Sequence, residues 1–217
     1  MKILRNKFNL NYTKNSILVI GNFDGLHKGH ASILNEAKKV AKKNKLKFGL
    51  LTFDPNPKEF FLKDKNLKII SNQDKENILF QMKLDFLIIL KFNYRFRSQS
   101  ASNFIHKILK NRVSPSKIII GREFKFGKNR SGDTKLLKKY FNIKIAIQKK
   151  LYGKKISSSQ IRKLIQIGKI DEANILLGRK WSITGSVSSG NKIGRKLGFR
   201  TANVFIKNCI KPLRGVY

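Results

Sequence analysis

The sequence predicts an α/β protein built on a doubly wound parallel sheet, followed by a short β-rich segment. Three observations carry this. Short apolar runs at Ile17 to Ile20, Lys47 to Phe53, Phe86 to Lys91 and Lys117 to Gly121 have the pattern of strands buried on both faces. Segments with apolar residues at helical spacing lie between them, and strand–helix alternation implies right-handed crossovers. From Arg179 onward the pattern changes to short extended stretches between glycines 185, 190, 194 and 198, which reads as a β module.

Residues 1–16 are polar and lysine-rich, a lead-in or short edge strand. After Ile17 to Ile20 comes GNFDGLHKGH (21–30), then a helix whose buried face is Ile33, Leu34, Ala37, Val40 and Ala41. A strand, a glycine turn and a helix start in this order read as a phosphate-facing loop. His27 and His30, three apart where the loop enters the helix, point their imidazoles to one side. The free N–H groups and positive dipole end of the helix start attract anions. Gly29, between the two histidines, leaves room for a phosphate to approach the backbone.

In DPNPKEFF, Pro55 and Pro57 predict an extended, non-helical loop, and Asn56 between them carries a hydrogen-bonding tip without charge. A polar loop with Phe60 and Phe61 tucked into the core is the alternative. Gln73 to Leu84 has helical spacing. So do Ala101 to Leu109, with Ser98 and Ser100 as candidate caps and His106 as a surface or interface histidine. The loop GREFKFGKNRSGD (121–133) leaves the end of a buried strand, where ligands of such sheets collect. Phe124 and Phe126 alternate with charged residues and suit either stacking on a flat ring or core packing. Arg122, Lys128 and Arg130 suit phosphate contacts or a solvated turn. A helix over 134–141 and a strand over 143–148 lead to KISSSQIRKLIQIG, where serines 157–159 are helix caps. Arg162 follows them by one turn, placed to fork onto phosphate oxygens. A short helix from Asp171 to Leu177 closes the first unit near Gly178.

Composition narrows the function classes. The 41% hydrophobic and 10% aromatic content fits a folded chain, the single Cys209 forms no internal disulfide, and no apolar run is long enough to span a bilayer. A cytoplasmic protein without membrane partners is expected. The 48 basic against 12 acidic residues, a formal charge of +36, raise nucleic-acid binding as a reading. The basic residues are spread from Lys2 to Arg214, are mostly lysine, and accompany abundant Asn and Ile, residues with A/T-rich codons. A solvated basic surface that steers anions inward is favoured over a dedicated nucleic-acid face.

HxGH after a strand resembles the signature of the nucleotidyltransferase superfamily, and GNFDGLHKGH resembles its flavin branch, the bacterial bifunctional FAD synthetases. GREFKFG is similar to that branch's GxDFxFG loop, with Glu123 in place of Asp or Asn. SSSQIR is similar to its SSTxIR signature, with Ser159 in the threonine position. GNKIGRKLGFRTANV resembles the opening of the riboflavin kinase domain, with Thr201 and Asn203 of its PTAN motif and Arg200 replacing the proline. The resemblance implies a Rossmann-like HxGH nucleotidyltransferase domain over 1–178 and an incomplete β-barrel, riboflavin kinase-like, over 179–217. It implies transfer of AMP from ATP to FMN, giving FAD and pyrophosphate, with Mg²⁺ bridging ATP phosphates.

It further implies His27, His30 and Arg162 as catalytic residues and Gly21, Phe23, Asp24, Gly29, Ser158 and Ser159 as ATP- or phosphate-binding. Asn56, Glu123, Phe124 and Phe126 are implied at the flavin or substrate. Riboflavin kinase activity is not expected: the family's barrel needs more chain than 179–217, and that stretch has no Asp, Glu or His to act as base. A sibling nucleotidyltransferase with another acceptor, and a basic nucleic-acid binder without catalysis, are the alternatives.

Overall fold

A computed structural model describes all residues except 148, 152, 189–197, 199–201, 207 and 216–217. In chain order the elements are β1 (Lys2–Arg5), α1 (Leu10–Thr13), β2 (Ile17–Ile20), α2 (Lys28–Lys43), β3 (Phe48–Asp54), α3 (Pro57–Leu62) and α4 (Asn72–Gln81). Then follow β4 (Phe86–Lys91), α5 (Tyr94–Arg97), α6 (Ala101–Asn103, continued as a π-helix over Phe104–Val113), β5 (Lys117–Ile120), α7 (Thr134–Lys138) and β6 (Asn142–Ile145). The chain goes on through β7 (Lys150–Leu151), β8 (Lys154–Lys155), α8 (Ser158–Gln166), α9 (Ile170–Leu177), β9 (Ser186–Ser188) and β10 (Asn203–Phe205).

Six strands form one sheet in the order β1-β4-β3-β2-β5-β6, and every pairing in it is parallel. Alternate residues of the central strands feed two separate cores. Val19, Leu50, Leu87 and Ile119 meet α2, α4, α8 and α9 on one face, whereas Leu18, Leu51, Ile88 and Ile118 meet the 101–113 helix and α7 on the other. Helices on both faces make the sheet doubly wound, as the alternation predicts. Gly49 sits opposite Phe86 in the register, and a Cβ there would lie 2.2 Å from the Phe86 ring. The missing side chain lets that fully buried ring cover the strand.

From β2 the chain winds outward through β3 and β4 in one direction and through β5 and β6 in the other. The sheet order therefore reverses between β2 and β5, and the carboxyl ends of these two strands open a crevice, the ligand site of open α/β sheets. The loops 21–27 and 121–133 leave from those two ends.

Several local expectations are corrected. Pro55 and Pro57 do not hold the following stretch non-helical, because Pro57 occupies the first position of α3, where its missing N–H costs nothing. Asn56 is the N-cap: its side chain accepts from Lys58 N, and the Glu59 carboxylate accepts from Asn56 N at 2.8 Å. Phe61 is 57% exposed, not tucked into the core. Ser100 caps the helix that starts at Ala101, whereas Ser98 ends the short α5 before it.

After Gly178, which ends α9 in the left-handed conformation, β9 and β10 pair antiparallel. Asn203 opens β10; Thr201 and Arg200 lie outside the described residues. Among the described residues no helix is long and apolar enough to cross a membrane.

Candidate active site

The crevice is a cleft of about 360 Å³ lined from four segments: the end of β2 with its loop, the first turn of α2, the start of the 121–133 loop, and the strip from Ala146 to Ser158. Gly21, Phe23, Asp24, His27, Gly29, His30, Glu123, Phe124 and Ser158 all line it, so most of the expected phosphate and substrate residues converge.

The loop from Phe23 to Leu26 is held in a conformation the chain would not choose alone. Phe23 and Leu26 have φ of 49° and 42°, and Gly25 has 75°. For the two non-glycine residues this costs on the order of 1–3 kcal/mol each, which the surroundings must offset. Phe23 and Leu26 are each 3% exposed, so their side chains anchor the turn in the core. Polar groups clamp the rest: Lys75 Nζ donates to Asn22 O at 2.7 Å and Ser158 Oγ to Asp24 O at 2.9 Å. The Asp24 carboxylate accepts from Ile69 N at 3.1 Å and from Arg162 Nη2.

This geometry gives each histidine its own state. His27 is the N-cap of α2: its Nδ1 accepts from His30 N at 3.3 Å, which leaves Nε2 as the protonated nitrogen of the neutral ring. Burial, then the Arg179 charge, lowers the His27 pKa to about 4. The His30 ring stacks on His27 with centroids 3.7 Å apart and leans on Phe23 at 4.6 Å. Burial, with the neighbouring His27, holds its pKa well below the ordinary histidine value. His30 Nδ1 is buried with no hydrogen-bond partner among the described residues. Gly29 is small for a reason besides backbone access: a Cβ there would meet the His27 ring at 3.1 Å. Two neutral, stacked imidazoles therefore sit at the start of a helix sixteen residues long, where N–H groups and dipole favour an anion.

Arg162 has a different position from the one expected. Its guanidinium is buried beneath the loop, donating from Nη2 to Asp24 and from Nε to Leu67 O at 2.7 Å, and it does not line the cleft. The ion pair ties the histidine loop to α8, the helix that begins at the serine cluster. Asp24 is correspondingly not a free carboxylate for metal or substrate. Ser159 is exposed and outside the cleft, while Ser157 caps α8 and lines it. Asn56, consumed as a helix cap, and Phe126, 8% exposed and packed on Phe104, are also outside. Phe124, half-buried, keeps its place on the wall.

Lysines 149 and 155 join Arg122 on the lining, and all three are exposed. In a sequence with 48 basic residues nothing singled these two lysines out. Lys155 pairs with Glu123 across the mouth. No group of three or more His, Cys, Asp or Glu suited to a metal ion occurs among the described residues.

Comparison with known proteins bears on what binds here. The family model described as FAD synthetase matches residues 10–160, and the riboflavin kinase model matches 177–217. A bifunctional riboflavin kinase/FMN adenylyltransferase of Buchnera aphidicola subsp. Schizaphis graminum is 43% identical across the whole chain, which covers 72% of that protein. The chain belongs to the bifunctional riboflavin kinase/FMN adenylyltransferase family. The Escherichia coli K12 family member is 32% identical, again over the whole chain and 72% of the relative. A crystal structure described as a macrolide-efflux protein from Streptococcus pneumoniae superposes with a TM-score of 0.87 at 30% identity, covering 100% of this chain and 73% of that one. The residues matched by the FAD synthetase model include the histidine loop, the 121–133 loop and Ser157 and Ser158, all of which border the cleft at the switch point.

Proposed function

We propose that the protein transfers the adenylyl group of ATP to FMN in the cytoplasm. An FMN phosphate oxygen forms a bond to the α-phosphorus of ATP, the bond to the bridging oxygen breaks, and pyrophosphate leaves. The FMN phosphate is already anionic at neutral pH, so the attack needs no general base. The site's tasks are to align two anions and to take up charge developing on the transferring and departing phosphates. The observation that carries this reading is the pair of stacked neutral imidazoles at the α2 N-terminus, facing a cleft at the sheet's switch point in a chain of this family.

In this reading His27 donates through Nε2–H to a phosphate oxygen, because its other nitrogen is held as an acceptor by the helix cap. His30 donates beside it, and the helix N–H groups take further oxygens. Arg122, Lys149, Lys155 and Ser158 meet the phosphates, and Phe124 offers a face to the flavin or the adenine. Arg162 acts through Asp24, keeping the loop shaped. Asp24, engaged by Arg162 and Ile69, is not free for a metal, and no group of three or more His, Cys, Asp or Glu suited to one occurs among the described residues. Mg²⁺ accordingly enters as part of the substrate, MgATP, carried on phosphate oxygens and water. Residues 179–217 contain no Asp, Glu or His, so no such side chain there serves as a base for riboflavin phosphorylation.

The test is to mix protein, MgATP and FMN and follow FAD and pyrophosphate, with riboflavin in a parallel reaction. FAD from FMN but not from riboflavin is expected. Absence of FAD from FMN refutes the assignment, and ATP–pyrophosphate exchange with a different phosphorylated acceptor would instead establish a sibling nucleotidyltransferase.

A further inference from the structure

Arg179 lies in the segment that matches the riboflavin kinase model, yet its guanidinium reaches back into the loop of the other module. Nη2 donates to Gly25 O at 2.6 Å and Nη1 to Leu26 O at 3.1 Å. These carbonyls belong to two of the three left-handed residues of the loop, and Leu26 directly precedes His27. A forked donor suits this task because it fixes the two carbonyls relative to each other; a single ammonium cannot do so in the same way.

The segment around Arg179 is tied to the first unit at several further points. Trp181 Nε1 donates to Ile69 O at 2.8 Å, and Trp181 N donates to Asn174 Oδ1 at 2.6 Å. Ile210, 2% exposed, donates its N–H to Lys68 O at 2.8 Å. Thr184 Oγ1 bonds Asp74 at 2.9 Å. Ile69, which receives Trp181 on its carbonyl, gives its own N–H to Asp24 on the far side of the loop. Residues from the kinase-matched segment thus contact the histidine loop directly through Arg179 and indirectly through the 67–70 strip.

We infer that Arg179 is a positioning residue for adenylyl transfer, contributed by the kinase-matched segment and acting on His27 through the Gly25–Leu26 turn. The inference rests on His27 serving as a phosphate donor. It means that the second module completes the first module's phosphate cradle, so disturbing one disturbs the other.

The experiment uses the full chain with Arg179→Ala and Arg179→Lys, each checked for folding by its thermal unfolding midpoint. For Arg179→Ala, kcat/KM for ATP is expected to fall about ten- to a hundredfold, the scale of a misplaced donor. Guanidinium chloride at a concentration well below denaturation should restore part of it. The charged groups acting on the His27 ring are Arg179 and Lys155. With only three histidines in the chain, the His27 titration can be followed by NMR. It should move upward in Arg179→Ala, where a repelling charge is gone, and stay near wild type in Arg179→Lys, whose kcat should still fall. If Arg179→Ala does not fold, Arg179→Lys decides through that split. Folded variants with wild-type kinetics overturn the inference, as does a loss in Arg179→Ala that guanidinium leaves unchanged. If the wild-type chain makes no FAD from FMN, the acceptor assignment fails separately, and ATP affinity with the His27 titration still decides the role of Arg179.

Discussion

Replacing Arg162 with methionine separates two roles for an arginine one turn after a serine cluster. A phosphate ligand in an open cleft is a solvated side chain, and its loss leaves stability within about 0.5 kcal/mol. In the structure the Arg162 and Asp24 side chains are 7% and 8% exposed and form an ion pair, with Leu67 O bonded to the same guanidinium. Removing one member of such a pair strands the other and costs about 3–5 kcal/mol. Asp24 keeps its bond from Ile69 N, which moves the expectation to the lower end, about 3 kcal/mol. For a chain of this size that is a fall of about 6–12 °C in the unfolding midpoint. Urea unfolding of Arg162→Met, Asp24→Asn and the double variant measures it. The double variant should be less destabilised than the sum of the singles by about 1–3 kcal/mol. Additive singles, or an Arg162→Met protein as stable as wild type, refute the clamp.

His30→Ala should lower kcat for FAD formation by at least about tenfold while the protein stays folded, measured with a pyrophosphate-coupled assay and circular dichroism. Folding holds His27 neutral at a pKa of about 4, against the ordinary value of 6.5. The unfolded chain therefore binds the extra proton first, and stability should decline as pH falls from about 6.5 toward 4, by up to about 3 kcal/mol from this residue. Urea midpoints across that range check it, and His27→Asn, which keeps a capping acceptor, should flatten the slope. Gly49→Ala places a methyl 2.2 Å from the Phe86 ring and should cost about 1–3 kcal/mol, read as a lower unfolding midpoint; an unchanged midpoint would contradict the packing account.

The elements that were legible from the chain are those with strong local patterns. Phe86–Lys91 is a strand at the expected bounds because five consecutive apolar residues, all buried, lead to an exposed lysine at its end. The helical stretch after Asn56 is hidden in the sequence because two prolines suggest an extended run, whereas Pro57 is also the residue best suited to a first helical position, and Glu59 completes a capping box. Phe126 suits either stacking or packing by its pattern, and the close approach of Gly132 to its ring, with the Phe104 ring 5.3 Å away, decides for packing. Lys149, Lys155 and Arg179 carried no local mark among so many basic residues, and only their neighbours across the fold distinguish them.

The sequence by itself determined the sheet's class, the strand–loop–helix unit with its two histidines, and the family. Periodicity and motif spacing are properties of neighbouring residues, and they survive without knowledge of the fold. Only the tertiary structure decided that Arg162 grips Asp24 from below, that the two imidazoles stack neutral, and that Arg179 holds the loop from the other module. Each of those outcomes depends on which groups are withdrawn from water and what partner they then meet, and for Arg162 and Arg179 those partners lie more than a hundred residues away.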